Sequence, residues 1–226
     1  MTFDYYLIMI PAFLFSMIAQ IYVNSTYRKY SQVRNYLGLT GEDAAYQLIR
    51  ATGLDHVRLQ GTSGTLSDHY DPRNKILKLS PAVAQQPSIA SIAVAAHELG
   101  HAQQDHQNYF PLKLRSAIVP MANIGSSLGW IMILVGLMLN FANLAQIGVI
   151  FFSAGALFAL VTLPVELDAS KRARAMLKSN GLVVNAQEEE GVRKVLNAAA
   201  LTYIAALATS LMQLFYFTSL TRRMRR

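Results

Sequence analysis

The chain has 226 residues, of which 53% are hydrophobic and only 15% charged, against roughly 25% charged in an average soluble domain. It contains no cysteine, which rules out disulfides and thiolate metal sites and leaves any metal to histidine and carboxylate. The formal charge of +7 invites a nucleic-acid partner, but many of the Lys and Arg stand beside apolar runs and no aromatic-interleaved basic groove is present, so no nucleic acid is expected.

The shortage of charge is concentrated in three uncharged runs, Tyr5 to Tyr27, Ser116 to Val165 and Ala198 to Thr221. A membrane-crossing helix needs about 20 apolar residues, so these runs accommodate one, two and one spans respectively. The predicted spans cover about 5–24, 117–139, 144–165 and 198–219. The start Met1-Thr2-Phe3-Asp4-Tyr5 has an acid where a signal peptide would be basic, so the first span reads as a retained anchor.

After the first span, which is tyrosine-rich at its start as an interfacial belt would be, Thr40-Gly41-Glu42-Asp43 supplies an N-cap and early acids for an amphipathic helix ending near Gly53. From His56 to Leu79 the helical period is lost. Three short strands are predicted there, at 57–60, 65–70 and 75–79, separated by Gly61-Thr62-Ser63-Gly64 and Asp71-Pro72-Arg73-Asn74. Such strands either brace the next helix or offer an edge to an extended peptide. Ser80-Pro81 then opens the next helical segment.

A helix predicted over about 88–107 carries His97-Glu98-Leu99-Gly100-His101. Histidines four apart project from one face, separated by about 6 Å along the axis, and both can reach a single ion. A glutamate beside the first histidine is placed to take a proton from a water on that ion, the general-base role of His-Glu-x-x-His in zinc hydrolases. His97 and His101 are therefore candidate metal ligands, and Glu98 the candidate catalytic base.

Catalytic zinc sites use three protein ligands, so one more is required. His106 lies off the His97/His101 face, and His56 and His69 fall in the strand region. Glu166 is the strongest candidate, because two spans with a hairpin turn at Asn140-Phe141-Ala142-Asn143 return the chain to the side it left. An acid closing fifty uncharged positions is also costly unless paired. Its alternative is an ordinary helix acid near Arg172 or Arg174.

The succession of His97-Glu98-Leu99-Gly100-His101, a membrane hairpin and Glu166-Leu167-Asp168-Ala169-Ser170 resembles the membrane zinc metallopeptidases of the gluzincin type. With Asp68-His69-Tyr70-Asp71-Pro72 upstream it resembles more closely the YugP-type neutral zinc metallopeptidases. The resemblance implies one zinc ion held by His97, His101 and Glu166, with Glu98 as the base. In the HtpX-type and CAAX prenyl protease relatives an aspartate follows the glutamate by four residues; here that position is Ser170, and Asp168, two residues along, points to another side of a helix.

The expected fold is a mainly α membrane protein, 1–226 forming a single metallopeptidase domain. About four transmembrane helices carry a small zincin-like α+β catalytic part, 25–115 and 166–197, at the membrane surface. The expected function is zinc-dependent endopeptidase action on a peptide or protein substrate, membrane proteins included; the alternative is a non-catalytic scaffold or chaperone that keeps the zinc fold. Basic residues near span ends in the segments bearing the motif put the active site in the cytoplasm by the positive-inside rule. The four arginines of the tail Arg222-Arg223-Met224-Arg225-Arg226 argue the other way, unless the last segment lies along the interface.

Overall fold

The computed structural model describes residues 2–224, and Met1, Arg225 and Arg226, which enter the readings of the anchor and of the arginine tail, lie outside them. The chain is mainly helical with one small sheet. In order it forms α1 (Thr2–Ser31), α2 (Gly41–Ala51), β1 (Arg58–Gly61), β2 (His69–Asp71), β3 (Ile76–Leu79), α3 (Pro81–Gln85), α4 (Ile89–His106), α5 (Phe110–Met138), α6 (Ala142–Ser179) and α7 (Ala186–Met224). Among the described residues four helices, α1, α5, α6 and α7, are long and apolar enough to cross a membrane. Contacts divide the chain into two units.

The first unit comprises residues up to Gln20, Lys113–Pro164 and those from Thr202 on. Its α5 and α6 are joined by a short turn in which Asn140 has φ of 50°, at the predicted hairpin. Small residues let these two helices approach closely: a Cβ added at Gly136 would stand 2.5 Å from the Ala145 nitrogen, and one at Gly129 2.6 Å from the Gly148 oxygen. Ile133, Val149, Phe217 and Leu220 form its buried cluster.

The second unit comprises Ile21–Leu112 and Val165–Leu201 and holds the larger core. The Thr40 hydroxyl accepts from Asp43 N–H while the Asp43 carboxylate takes the Thr40 N–H, a reciprocal cap that starts α2 where the sequence placed it. Helix α2 then buries Ala44, Ala45, Leu48 and Ile49. The sheet has the order β1-β3-β2, with β1 parallel and β2 antiparallel to the central β3.

One expectation is corrected by local backbone chemistry, and a helix break left open between Pro81 and Ser88 is explained by it. The middle strand is shorter than 65–70, covering only His69–Asp71, because Gly64 and Leu66 take positive φ values of 104° and 55° and Asp68 spends its carboxylate on the Ser80 N–H and hydroxyl. The helical segment opened by Pro81 stops after five residues: Gln86, preceding Pro87, is held extended at φ −93°, ψ 131°. Ser88 then caps α4 by accepting from Ser91 N–H.

Candidate metal centre

Helix α4 is lined on its buried side by Ala90, Ala93, Ala95 and Ala96, small residues that seat it tightly in the core. At Gly100 the fit is closer still, since an added Cβ would lie 2.5 Å from the Ala169 carbonyl oxygen of α6. This approach sets the motif of α4 directly against the turn of α6 that carries Glu166.

His97 Nε2 and Glu166 Oε2 lie 3.2 Å apart, and His101 Nε2 lies 3.5 Å from the same oxygen. His97, His101 and Glu166 are the one group of three or more potential ligands among the described residues whose donor atoms converge, all within 4.8 Å. Donors about 2.0–2.2 Å from an ion at the tetrahedral angle stand about 3.3–3.6 Å from one another. The two separations from Glu166 Oε2 lie close to that spacing. Glu166 is only 2% exposed, so its carboxylate has exchanged water for the two imidazoles.

Glu98 is partly buried beside this cluster, and the backbone N–H of Tyr70 in β2 donates to its Oε2 at 3.0 Å. Burial pushes the Glu98 carboxyl up to about 7; the Glu166 charge adds to the rise, while His97 and the Tyr70 N–H oppose it. One carboxylate oxygen is thus held by the sheet.

The other histidines weighed as ligands do not join this group. His56 and His106 stack on one another with ring centroids 5.2 Å apart, and His69 Nδ1 bonds the Ser67 carbonyl at 2.8 Å. The Tyr70 hydroxyl donates to Asp105 Oδ2 at 2.7 Å, which Lys75 also pairs with, so this phenol is engaged and its pKa is raised by burial and the Asp105 hydrogen bond. Arg172 pairs with Asp168, bonds Gln103 and Gln107, and sits over the Tyr109 ring.

Three residues at the site were absent from the sequence-based candidates. Ser170 Oγ lies 3.2 Å from His97 Nδ1, Gln104 Oε1 lies 3.0 Å from His101 Nδ1, and Asp105 anchors Tyr70. Gln104 follows His101 by three residues and so shares its side of the helix, a signal that was legible. Asp168 Oδ2 takes a hydrogen bond from Gln104 at 2.9 Å.

The chain thus combines four helices long and apolar enough to cross a membrane with a His-His-Glu cluster that could hold a metal ion beside a partly buried glutamate. The chain belongs to the family described as "Putative neutral zinc metallopeptidase", which matches residues 5–222. It is 44% identical over 199 residues, 88% of either chain, to the "Putative membrane protease YugP" of Bacillus subtilis (strain 168). No solved structure matches it.

Proposed function

We propose that this chain is a multi-pass membrane zinc endopeptidase that hydrolyses peptide bonds in peptides or proteins, membrane proteins among them, with His97, His101 and Glu166 holding one zinc ion. The observation that carries this reading is the convergence of donor atoms from His97, His101 and Glu166 within 4.8 Å of one another next to Glu98. Zinc bound there supplies a Lewis acid for the scissile carbonyl and acidifies a water.

Glu98 is the general base. Its carboxylate accepts the proton of the attacking water as the new carbon–oxygen bond forms, and returns it to the amide nitrogen as the carbon–nitrogen bond breaks. The Tyr70 N–H holds the carboxylate in place through both transfers. An intact base beside the cluster speaks against a scaffold, since a purely structural metal site has no use for one. The concentration of Lys and Arg near the span ends of the segments carrying the motif supports a cytoplasmic active site.

Metal analysis of the detergent-purified protein, wild type beside Glu166→Ala, tests the site. The wild type is expected to carry one zinc per chain and the variant to lose it under mild chelation. Equal zinc content and affinity in the two would overturn Glu166 as a ligand.

A further inference from the structure

Both histidines turn Nε2 toward Glu166, so each needs its proton on Nδ1 if Nε2 is to offer a lone pair to a metal. The two rings reach that state by different means. Ser170, beside His97 Nδ1, carries a hydroxyl that donates or accepts equally well and so imposes no tautomer.

Gln104 is different. It is fully buried, and its carboxamide is committed on both ends: Nε2 donates to the Val165 carbonyl oxygen at 2.8 Å and to Asp168 Oδ2 at 2.9 Å, while Oε1 faces His101 Nδ1 at 3.0 Å. A backbone carbonyl only accepts, and the Asp168 carboxylate, paired with Arg172, also only accepts. Turning the amide over would set an oxygen against both of them and lose two hydrogen bonds in a buried site. The amide is therefore fixed with its oxygen toward His101, and an oxygen there calls for N–H on Nδ1.

We propose that Gln104 is a tautomer lock, a positioning residue that holds His101 with its Nε2 lone pair directed at the metal point before any ion arrives. The lock is anchored through Asp168 to Arg172, which also bonds Gln103 of α4 and Gln107 at the C-cap of that helix. It rests on the reading of His97, His101 and Glu166 as zinc ligands. It also gives Asp168 a role that its position two residues after Glu166 does not suggest: its charge reaches His101 through the Gln104 amide.

The test measures imidazole tautomers in the metal-free protein by nitrogen NMR of labelled histidine, and zinc affinity by chelator competition. In the wild type His101 is expected wholly as the Nδ1–H form. Gln104→Met, similar in shape but with no acceptor oxygen, is expected to give mixed tautomers and zinc affinity weaker by about 10–100-fold, the usual effect of removing a partner that orients a metal ligand. Asp168→Ala, which leaves the glutamine in place, is expected to move both readouts in the same direction by a smaller factor, and serves if Gln104→Met does not fold.

Unchanged tautomer and unchanged affinity in the variant that folds would overturn the lock. A lower melting temperature with unchanged zinc affinity would do the same, by reducing Gln104 to a packing residue. Glu166→Ala separates the two levels: wild-type zinc affinity there sinks the metal assignment, while the tautomer measurement in metal-free Gln104→Met still judges the lock.

Discussion

Gly100 of α4 and Ala169 of α6 meet so closely that a methyl group at residue 100 would lie 2.5 Å from the Ala169 carbonyl oxygen and 3.1 Å from its Cα. The obstacle is backbone, which cannot swing aside as a side chain would. Gly100→Ala is therefore expected to force α4 away from the Glu166 turn. Overpacking of this kind costs about 1–3 kcal/mol, and alanine's better helix propensity returns up to about 1 kcal/mol. Net stability should fall modestly, while zinc affinity, which depends on the His-to-Glu spacing, should fall more. Thermal melting with chelator competition checks both, and a variant with wild-type zinc affinity would show that this contact does not set the metal geometry.

Glu98→Gln should separate chemistry from metal binding. The amide keeps the size of the side chain and an oxygen for the Tyr70 N–H, but cannot take a proton. Peptide cleavage is expected to drop by about 10²–10⁴-fold, the usual contribution of a positioned general base, with zinc content unchanged. Retained proteolysis in this variant would sink the proposed mechanism.

Much of this site was legible because its chemistry has a fixed spacing. His97, Glu98 and His101 declare themselves by a four-residue interval on one helix, and α2 begins at Thr40 because a threonine three residues before an aspartate satisfies its own cap. Glu166, distant in sequence, became a candidate because two spans return the chain to the side it left and an unpaired acid at the end of an uncharged run is costly. The truncation of β2 was harder to read, since it depends on a positive φ at Leu66, a residue with no preference for that conformation, and on Ser80 capturing Asp68. The pairing of β1 with β3 across the intervening β2 is non-local and has no signature in either strand.

The pH dependence of the metal-free protein follows from Glu98. Its carboxyl is raised by burial to about 7 in the folded chain, from an ordinary value of 4.5. The folded state holds this proton more tightly than the unfolded state. The stabilisation is thus fully present below about 4.5 and is lost as pH rises through about 7. A shift of that size corresponds to roughly 3 kcal/mol as an upper figure. Metal-free Glu98→Gln, which has no proton to lose, should melt above the metal-free wild type at pH 8, the gap closing toward pH 5. Adding zinc should shrink the gap, because a cation nearby favours the ionised carboxylate. A wild-type-minus-variant difference that does not vary with pH would argue that Glu98 is solvated in the metal-free state.

Tyr70 ties β2 to α4 at both ends of the residue, its N–H on Glu98 and its hydroxyl on Asp105. Tyr70→Phe leaves the backbone donor and the ring but removes the hydroxyl, and with it a hydrogen bond to a carboxylate worth about 1.5–3 kcal/mol. The loss should fall at the lower end of that range, because Lys75 still pairs with Asp105 and keeps its charge compensated. The more telling consequence is kinetic. If the hydroxyl anchor is what holds the strand against the helix, the freed strand lets the Tyr70 N–H drift from Glu98, and kcat should fall with zinc affinity unchanged. Hydrogen exchange at the Tyr70 amide, faster in Tyr70→Phe than in the wild type, reports that drift directly. Exchange at the wild-type rate would mean that the pairing of β2 with β3 alone is enough to fix the base.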